Sequence, residues 1–570
     1  MCPIHWYVEL AKGVPSMANS KIVPNPQLES LLTEFAQQPG VTPDQASQLR
    51  NAIASQADTL QRCNQEAANG HLQGFVLESG ESTLIGSFDK QSGIASLPAA
   101  SFQAGAATAS ADLKAAVALQ SMTTEFAHRT YPDAAGHAQP VDQDMVGNLQ
   151  RTINGSPVLA AQMKDATQQG HLRKFDLLPP GMSAGATYNG SEKEKSISMP
   201  PVGLQTLSAA NTKGRFDEKD LTFVLAHEVQ HGFNREERMQ ANKAFSQNVV
   251  KQAAVKAPEH DYTDELRAYI QAGRQDEAKA QIAGWNALLS KFQVDNPSAN
   301  IAVMEATLND RVYDFVTQKK GQVSSTPLPN LTFNPDGSLP MTAANIAGMG
   351  QNYFDRPSPL HAQPGQRPVG LGEHKDPQTG QRAPTADYPN YTAKSGIEYI
   401  LQIREKSTTH YQGARPRLVI DMASLGLSEH LLENEGIDLG KNKTPRPYYD
   451  SSQTPATLRH FDHTKDGSVN PAHDHQHVPV DGRHAQGQPS AAQGLSAYLD
   501  RMLFAAHMGD DATFRQMTRE LAEQPAGQQL REQAKAAVDQ QELLAQQVLE
   551  QQRIQEQQQL LIHGPGMMLR

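Results

Sequence analysis

The chain has 570 residues, too many for a single hydrophobic core, so we expect several domains. Its formal net charge of −11 argues against nucleic-acid binding, because neutralising phosphates requires clustered lysine and arginine. Only Cys2 and Cys63 are present, which excludes a disulfide framework and a cysteine-ligated zinc site. No apolar run reaches the roughly 18 residues of a membrane-spanning helix, and no Sec-type signal peptide is visible.

The first predicted elements are helices. Apolar residues between Leu28 and Phe35 recur at the spacing of one helix face, and a second helix is expected from Pro43 to about Asn69. The apolar segments 75–77 and 84–88 then predict two strands that form a hairpin.

An internal repeat with an offset of 100 residues begins here. Gly70-His71-Leu72 recurs as Gly170-His171-Leu172, and each copy is interpreted as helix, strand, turn and strand leading into another helix. With two short insertions, three pairs of residues align: Leu119 with His227, Gln120 with Glu228, and Thr123 with His231. The first copy is then a non-catalytic relative, acting as a brace or a substrate-holding surface. Coincidence between two ordinary helix–hairpin units is the alternative.

The second copy leads into Asp220–Gly232, an amphipathic helix with the pattern His-Glu-x-x-His. His227 and His231 are four residues apart and share a helix face, so both imidazoles can reach one metal ion. Glu228 can take a proton from a metal-activated water. Gly232 is expected to end the helix. A chance match on a surface helix is the alternative, but the residues around the ligands are uncharged.

Catalytic zinc usually has three protein ligands. In the extended histidine pattern, the third ligand is a histidine six residues after the second. That position is Glu237 in this chain, so the third ligand is expected from a later helix. Glu277 is the preferred ligand and Glu265 the alternative, and both carboxylates could instead be solvated helix charges.

This site predicts peptide hydrolysis. Glu228 would deprotonate the attacking water and pass the proton to the leaving amine. The oxyanion needs one further donor, for which Tyr188, Tyr269 and His475 are the candidates.

The region after the motif helix is rich in proline, glycine and histidine. Helical segments are predicted at 343–353 and 395–405, beside the apolar stretch 417–421. Residues 462–474 partly match a calcium loop, but His473 replaces the glutamate at its last ligand position. A solvated polar loop is the preferred interpretation, with calcium or another metal on the histidines as alternatives.

These observations predict an α+β, mainly helical protein with a zincin-like catalytic domain. The predicted domains are a disordered extension (1–20), a degenerate helix–hairpin repeat without zinc ligands (21–145), a zinc metallopeptidase domain (146–320), an accessory region (321–490) and a helical, glutamine-rich segment (491–570).

The motif from Ala226 to Gly232 resembles gluzincin-type zinc metallopeptidases. More widely, residues 150–300 are similar to metallopeptidase regions of secreted effectors in Xanthomonas-type bacteria, through Gly170-His171-Leu172, 220–228 and 274–286. The resemblance implies a toxin-like hydrolase of target-cell protein or peptidoglycan peptides. The resemblance also implies that the protein is made in the cytoplasm and exported without a Sec signal by a type IV or type VI system. A cognate immunity protein is then an expected partner. The segment 491–570 resembles the secretion signals of such effectors in composition.

Two other functions remain open. One is a non-catalytic binding or scaffold protein in which the motif helix is structural. The other is a cytoplasmic housekeeping peptidase that is not exported.

Overall fold

The computed structural model describes residues 22–79, 83–106, 108–133, 136–179, 184–208, 211–306, 310–317, 326–372, 384–406, 415–437 and 445–461. The chain forms two compact units, Met1–Ala497 and Tyr498–Arg570, and the second is entirely outside the described residues. The predicted extension 1–20, the calcium-loop match 462–474, His475 and the segment 491–570 also lie outside them. The described part mixes α and β structure, with long helices and small sheets, so the predicted mixed class is confirmed.

The first repeat (43–127) follows helix α1 (Pro26–Ala36). Its elements are α2 (Pro43–Ala54), α3 (Ala57–Ala68), β1 (Gly74–Glu78), β2 (Ser87–Asp89), β3 (Ile94–Pro98) and α4 (Ala111–Ala127). The sequence starts α2 with a capping box: the side chains of Thr42 and Gln45 each accept a hydrogen bond from the other's backbone N–H. Pro43 at the first helical position needs no hydrogen-bond partner for its nitrogen.

The second repeat (143–253) follows a short antiparallel pair, β4 (Thr130–Pro132) and β5 (Ala138–Pro140). Its elements are α5 (Gln143–Asn154), α6 (Pro157–Gln168), β6 (Lys174–Leu177), β7 (Thr187–Asn189), β8 (Ser196–Met199), α7 (Pro201–Leu204) and α8 (Glu218–Ala253). Both three-stranded sheets have the same order and register: Phe75 pairs with Ala95, and Phe175 pairs with Ile197. The predicted repeat is therefore present as a structural repeat.

The predicted hairpin between the first two strands of each repeat is wrong. The third strand lies in the centre of each sheet, parallel to the first strand and antiparallel to the second. The hairpin is instead β2–β3, whose turn ends at Gly93 with a positive φ. The central strand carries fully buried residues, Ala95 and Leu97, and this burial decides the strand order.

The two repeats share one hydrophobic core, which extends from Leu28 to Ala287. Arg62 of the first repeat donates to Glu125 at 2.7 Å and to the Arg173 carbonyl of the second at 2.7 Å. The predicted domain boundary at 145/146 lies inside α5.

Two long helices, α8 and α9 (Thr263–Asp295), carry the site and pack against each other. Strand β9 (Glu259–Asp261) connects them. Further along are α10 (Ile301–Ala306), β10 (Val316–Thr317), β11 (Thr326–Pro327), α11 (Ala343–Met349), a π-helical turn (Gly350–Phe354), α12 (Tyr388–Lys406), β12 (Arg417–Ile420), α13 (Glu429–Asn434), β13 (Arg446–Asp450) and β14 (Thr457–Phe461). The helices predicted at 343–353 and 395–405 are confirmed.

The accessory region is joined to α9 and to strand β9 before it. Its strands β12, β13 and β14 extend a sheet that starts with β9, in the order β14-β13-β12-β9. Trp285 of α9 donates to the Gly337 carbonyl at 2.9 Å, and Arg274 of α9 pairs with Asp355 at 2.7 Å. No helix in the described part of the chain is long and apolar enough to cross a membrane.

Candidate metal centre

Helix α8 places the three motif residues in the interior of the protein. Its N-cap is Asp217, whose side chain accepts from the Lys219 N–H at 2.9 Å. His227 and His231 lie one turn apart with ring centroids 4.9 Å from each other, and they and Glu228 are at most 6 % exposed. Two imidazoles and a carboxylate are thus held together on a rigid helix.

The helix end predicted at Gly232 is wrong, because α8 continues without interruption to Ala253. A Cβ atom at Gly232 would lie 3.1 Å from the Cβ of His171 and 3.1 Å from the Tyr188 hydroxyl. Glycine is needed here for the close approach of α8 to the second repeat's sheet and its preceding loop.

Glu277 reaches the motif histidines from the neighbouring helix α9. Its carboxylate Oε2 is 3.5 Å from His227 Nε2, and it is fully buried. The ligand atoms of His227, His231 and Glu277 all lie within 4.8 Å of one another, as one metal ion requires. Glu265 is in the first turn of α9, twelve residues earlier and therefore about 18 Å away along the helix.

A carboxylate outside the ligand cluster orients His231. Asp276 Oδ1 lies 2.9 Å from His231 Nδ1 and accepts from the Asn234 side chain at 2.8 Å. This contact leaves Nε2 of His231 directed at the cluster, and Nε2 has no hydrogen-bond partner among the described residues. A carboxylate behind a histidine is a common support for a metal ligand.

Burial and neighbouring charges shift the pKa values of the ligand side chains in this pocket. Burial lowers the pKa of His227 to about 3, which keeps its imidazole neutral. Burial also raises the pKa of Glu277 to about 7, despite the favourable charge of His231. Burial acts to lower the pKa of His231, but Asp276 outweighs it and raises this pKa well above its ordinary value. A divalent cation would replace the proton on His231 and stabilise both carboxylates.

The residues fit a metal ion. Neither carboxylate oxygen of Glu277 meets hydrogen-bond geometry with a protein group in the described part of the chain, although the nearby Tyr388 hydroxyl favours its charged form. Buried polar atoms are rarely left without partners, so these oxygens and Nε2 of His231 are suited to binding a metal ion.

Two further side chains at the site were not anticipated from the sequence. The Tyr353 ring, on the π-helical turn, lies 6.4 Å from the His227 ring, and its hydroxyl is 2.5 Å from that of Tyr388. Arg311, whose Nε donates to Asp220 at 2.5 Å, is electrostatically coupled to Glu228. Both residues are 80 or more positions from the histidines and lie on other elements, and no sequence motif links them to the site. The π-helical turn is itself a common mark of functional positions.

Two of the three predicted oxyanion donors, Tyr188 and Tyr269, make contacts with other residues. The Tyr188 hydroxyl donates to the His171 carbonyl at 2.6 Å, and Tyr269 packs against Phe245 and Arg238. His475 lies outside the described residues.

Comparisons of the chain with family models, with curated proteins and with solved structures found no match. The assignment of a function therefore depends on the geometry of this site.

Proposed function

We propose that this protein is a zinc-dependent endopeptidase in which His227, His231 and Glu277 bind the metal. One observation carries the proposal: the buried ligand atoms of two histidines and a glutamate converge beside Glu228 on a pair of packed helices, and most of these atoms have no hydrogen-bond partner among the described residues. The donor set of two imidazoles and one carboxylate suits zinc, and it is the set found in many catalytic zinc sites.

The residues around the pocket have separate roles in this proposal. Bound zinc would activate a water molecule and polarise the peptide carbonyl. The carboxylate of Glu228 takes the proton from the attacking water and gives it to the leaving amine. Tyr353 donates a hydrogen bond to the developing oxyanion, and Arg311 supplies positive charge near Glu228.

Export as an effector is the second part of the proposal. Its support is the sequence alone: the resemblance of 150–300 to effector peptidases and the glutamine-rich tract 539–559. Peptidoglycan peptides and target-cell protein are the candidate substrates, and secretion machinery and an immunity protein the candidate partners. Deleting 495–570 should abolish delivery but not peptidase activity. Unchanged delivery would show that this segment is not the secretion signal.

The main test uses the full chain and its Glu228→Gln variant. Both proteins are incubated with purified peptidoglycan and with casein, and their zinc content is measured. We expect zinc in both and fragments only from the parent protein, with the fragmented material identifying the substrate class. A protein that binds no zinc at neutral pH contradicts the proposal.

A matched pair of variants tests the third ligand. Glu277→Gln should remove the zinc ion bound by His227 and His231, whereas Glu265→Gln on the same helix should leave it unchanged. The opposite result would move the third ligand to Glu265.

A non-catalytic binding protein with a structural metal is the second candidate. The observation that favours it is burial: the three ligands, Tyr353 and Tyr388 are all less than 9 % exposed, and structural sites are closed. Bound zinc without cleavage of either substrate, and no effect of Glu228→Gln, would support it.

A further inference from the structure

A second group of metal-binding side chains lies in the first repeat, outside the proposed peptidase site. Glu66 is in the last turn of α3, His71 follows the turn made by Gly70, and His128 caps the end of α4. The ligand atoms of Glu66, His71 and His128 all lie within 4.8 Å of one another.

The geometry centres on the buried carboxylate of Glu66. Its Oε2 is 2.8 Å from His71 Nδ1 and 3.9 Å from His128 Nδ1, and its side chain is 8 % exposed. The two imidazole rings stack face to face, with centroids 3.7 Å apart and planes 2° from parallel. His71 is 36 % exposed, which leaves the cluster open to an ion from solvent.

The surroundings favour a cation. Helices α3 and α4 both end here, and the C-terminal end of a helix carries partial negative charge. In the described part of the chain, the ion pairs of Glu66 are with these two histidines and with no lysine or arginine.

The second repeat shows that the backbone does not need these side chains. His71 N–H donates to the Glu66 carbonyl at 2.9 Å, and His171 N–H donates to the Ala166 carbonyl at 2.7 Å in the same turn. The second repeat thus builds the turn with alanine in place of Glu66. The glutamate side chain therefore serves something other than the local fold.

We propose that Glu66, His71 and His128 form a second metal site, for a divalent transition cation such as zinc, cobalt or nickel. Two imidazoles and a carboxylate suit these ions better than magnesium or calcium, which prefer oxygen ligands. Binding tilts the stacked rings toward each other, because the lone pair of an imidazole nitrogen lies in the ring plane. The ion then ties the end of α3 to the end of α4, and water completes its coordination.

The test is a zinc chloride titration of the full chain by calorimetry, with cobalt absorption as a second measurement. His473, His475 and His477 are replaced by glutamine throughout, so that these histidines do not enter the count. We expect two ions per chain in this background and one in its Glu66→Gln and His128→Gln variants. The control is His137→Gln, an exposed histidine in the link between the repeats, which should still bind two.

Adding His231→Ala to the background separates this site from the peptidase site. That protein should keep one ion, and zinc should raise its melting temperature. Adding His128→Gln to it should abolish both effects. Circular dichroism checks folding, and His71→Gln, at the most exposed position, replaces any variant that does not fold. The same number of bound ions in the background protein and in its Glu66→Gln variant would overturn the proposal.

Discussion

The two repeats have the same strand order and register, but their last helices carry different chemistry. In the first, Thr123 Oγ1 donates to the Leu119 carbonyl at 2.9 Å, within the helix itself. In the second, the aligned positions are His231 and His227, and Nε2 of His231 has no partner in the described part of the chain. The same scaffold therefore carries either a helix whose polar side chain bonds within the helix or a helix with converging metal ligands. The ligands are thus additions to the fold.

The space beside the edge strand β2 of the first repeat is filled by side chains from both repeats. Gln150 of α5 exchanges hydrogen bonds with both backbone groups of Phe88, and Asn154 accepts from Ile85 N–H at 2.9 Å. Gln120, aligned with Glu228, donates to the Ile85 carbonyl at 2.8 Å. These contacts favour the role of brace for the first repeat over that of substrate-holding surface.

The largest expected contrast is between His231→Ala and Thr123→Ala. Losing a ligand should eliminate zinc binding at the peptidase site and peptidase activity, whereas Thr123→Ala removes only a bond within the helix. Metal analysis and casein cleavage measure both. Full peptidase activity and an unchanged zinc content in His231→Ala would remove the difference between the repeats.

Glu228→Gln should lower kcat by about 10²–10⁴-fold, because a general base contributes about that much. Zinc content should not change. The control is Gln120→Glu in the first repeat, which should add no activity, so that kcat stays at the value of the parent protein. A cleavage assay with full activity in Glu228→Gln would exclude this residue as the base.

Tyr353→Phe should lower kcat by about 10²–10³-fold with little effect on zinc content, as expected for loss of one oxyanion donor. Its control, Tyr131→Phe, removes a hydroxyl from the link between the repeats and should leave kcat unchanged. Equal losses in both variants would point to a general structural effect.

Asp276→Asn should weaken zinc binding by about 10–100-fold, the usual cost of losing a carboxylate behind a ligating histidine. A competition titration with a chelator measures the change. Asp264→Asn, at a 95 % exposed position on the same helix, should have no effect. A similar affinity for all three proteins would show that Asp276 does not support the ligand.

The smallest effect is expected for Gln120→Met. Losing its bond to the Ile85 carbonyl is offset by removing a buried side-chain oxygen that has no partner among the described residues. The free energy of unfolding should change by about 1 kcal/mol or less, as measured by urea denaturation. A loss of several kcal/mol would show that the first repeat depends on this polar contact.

The local features of the protein were predictable from the sequence. The spacing of His227 and His231 places them on one face of a helix, because side-chain direction in a helix repeats every 3.6 residues. The repeat was visible because both copies keep the same turn at Gly70 and Gly170. The predicted end of α8 at Gly232 is wrong, because the glycine is needed for a contact with residues that are distant in sequence.

By itself, then, the sequence determined the repeat, the motif helix and the types of metal-binding side chain. Tertiary structure decided which carboxylate meets the histidines, because Glu277 and Glu265 occupy similar helical contexts and only the packing of α9 on α8 separates them. It also decided the contacts of Asp276 and Tyr353 and the meeting of Glu66 with His128. These residues are brought together by the shared core, and sequence spacing carries no record of contacts made across it.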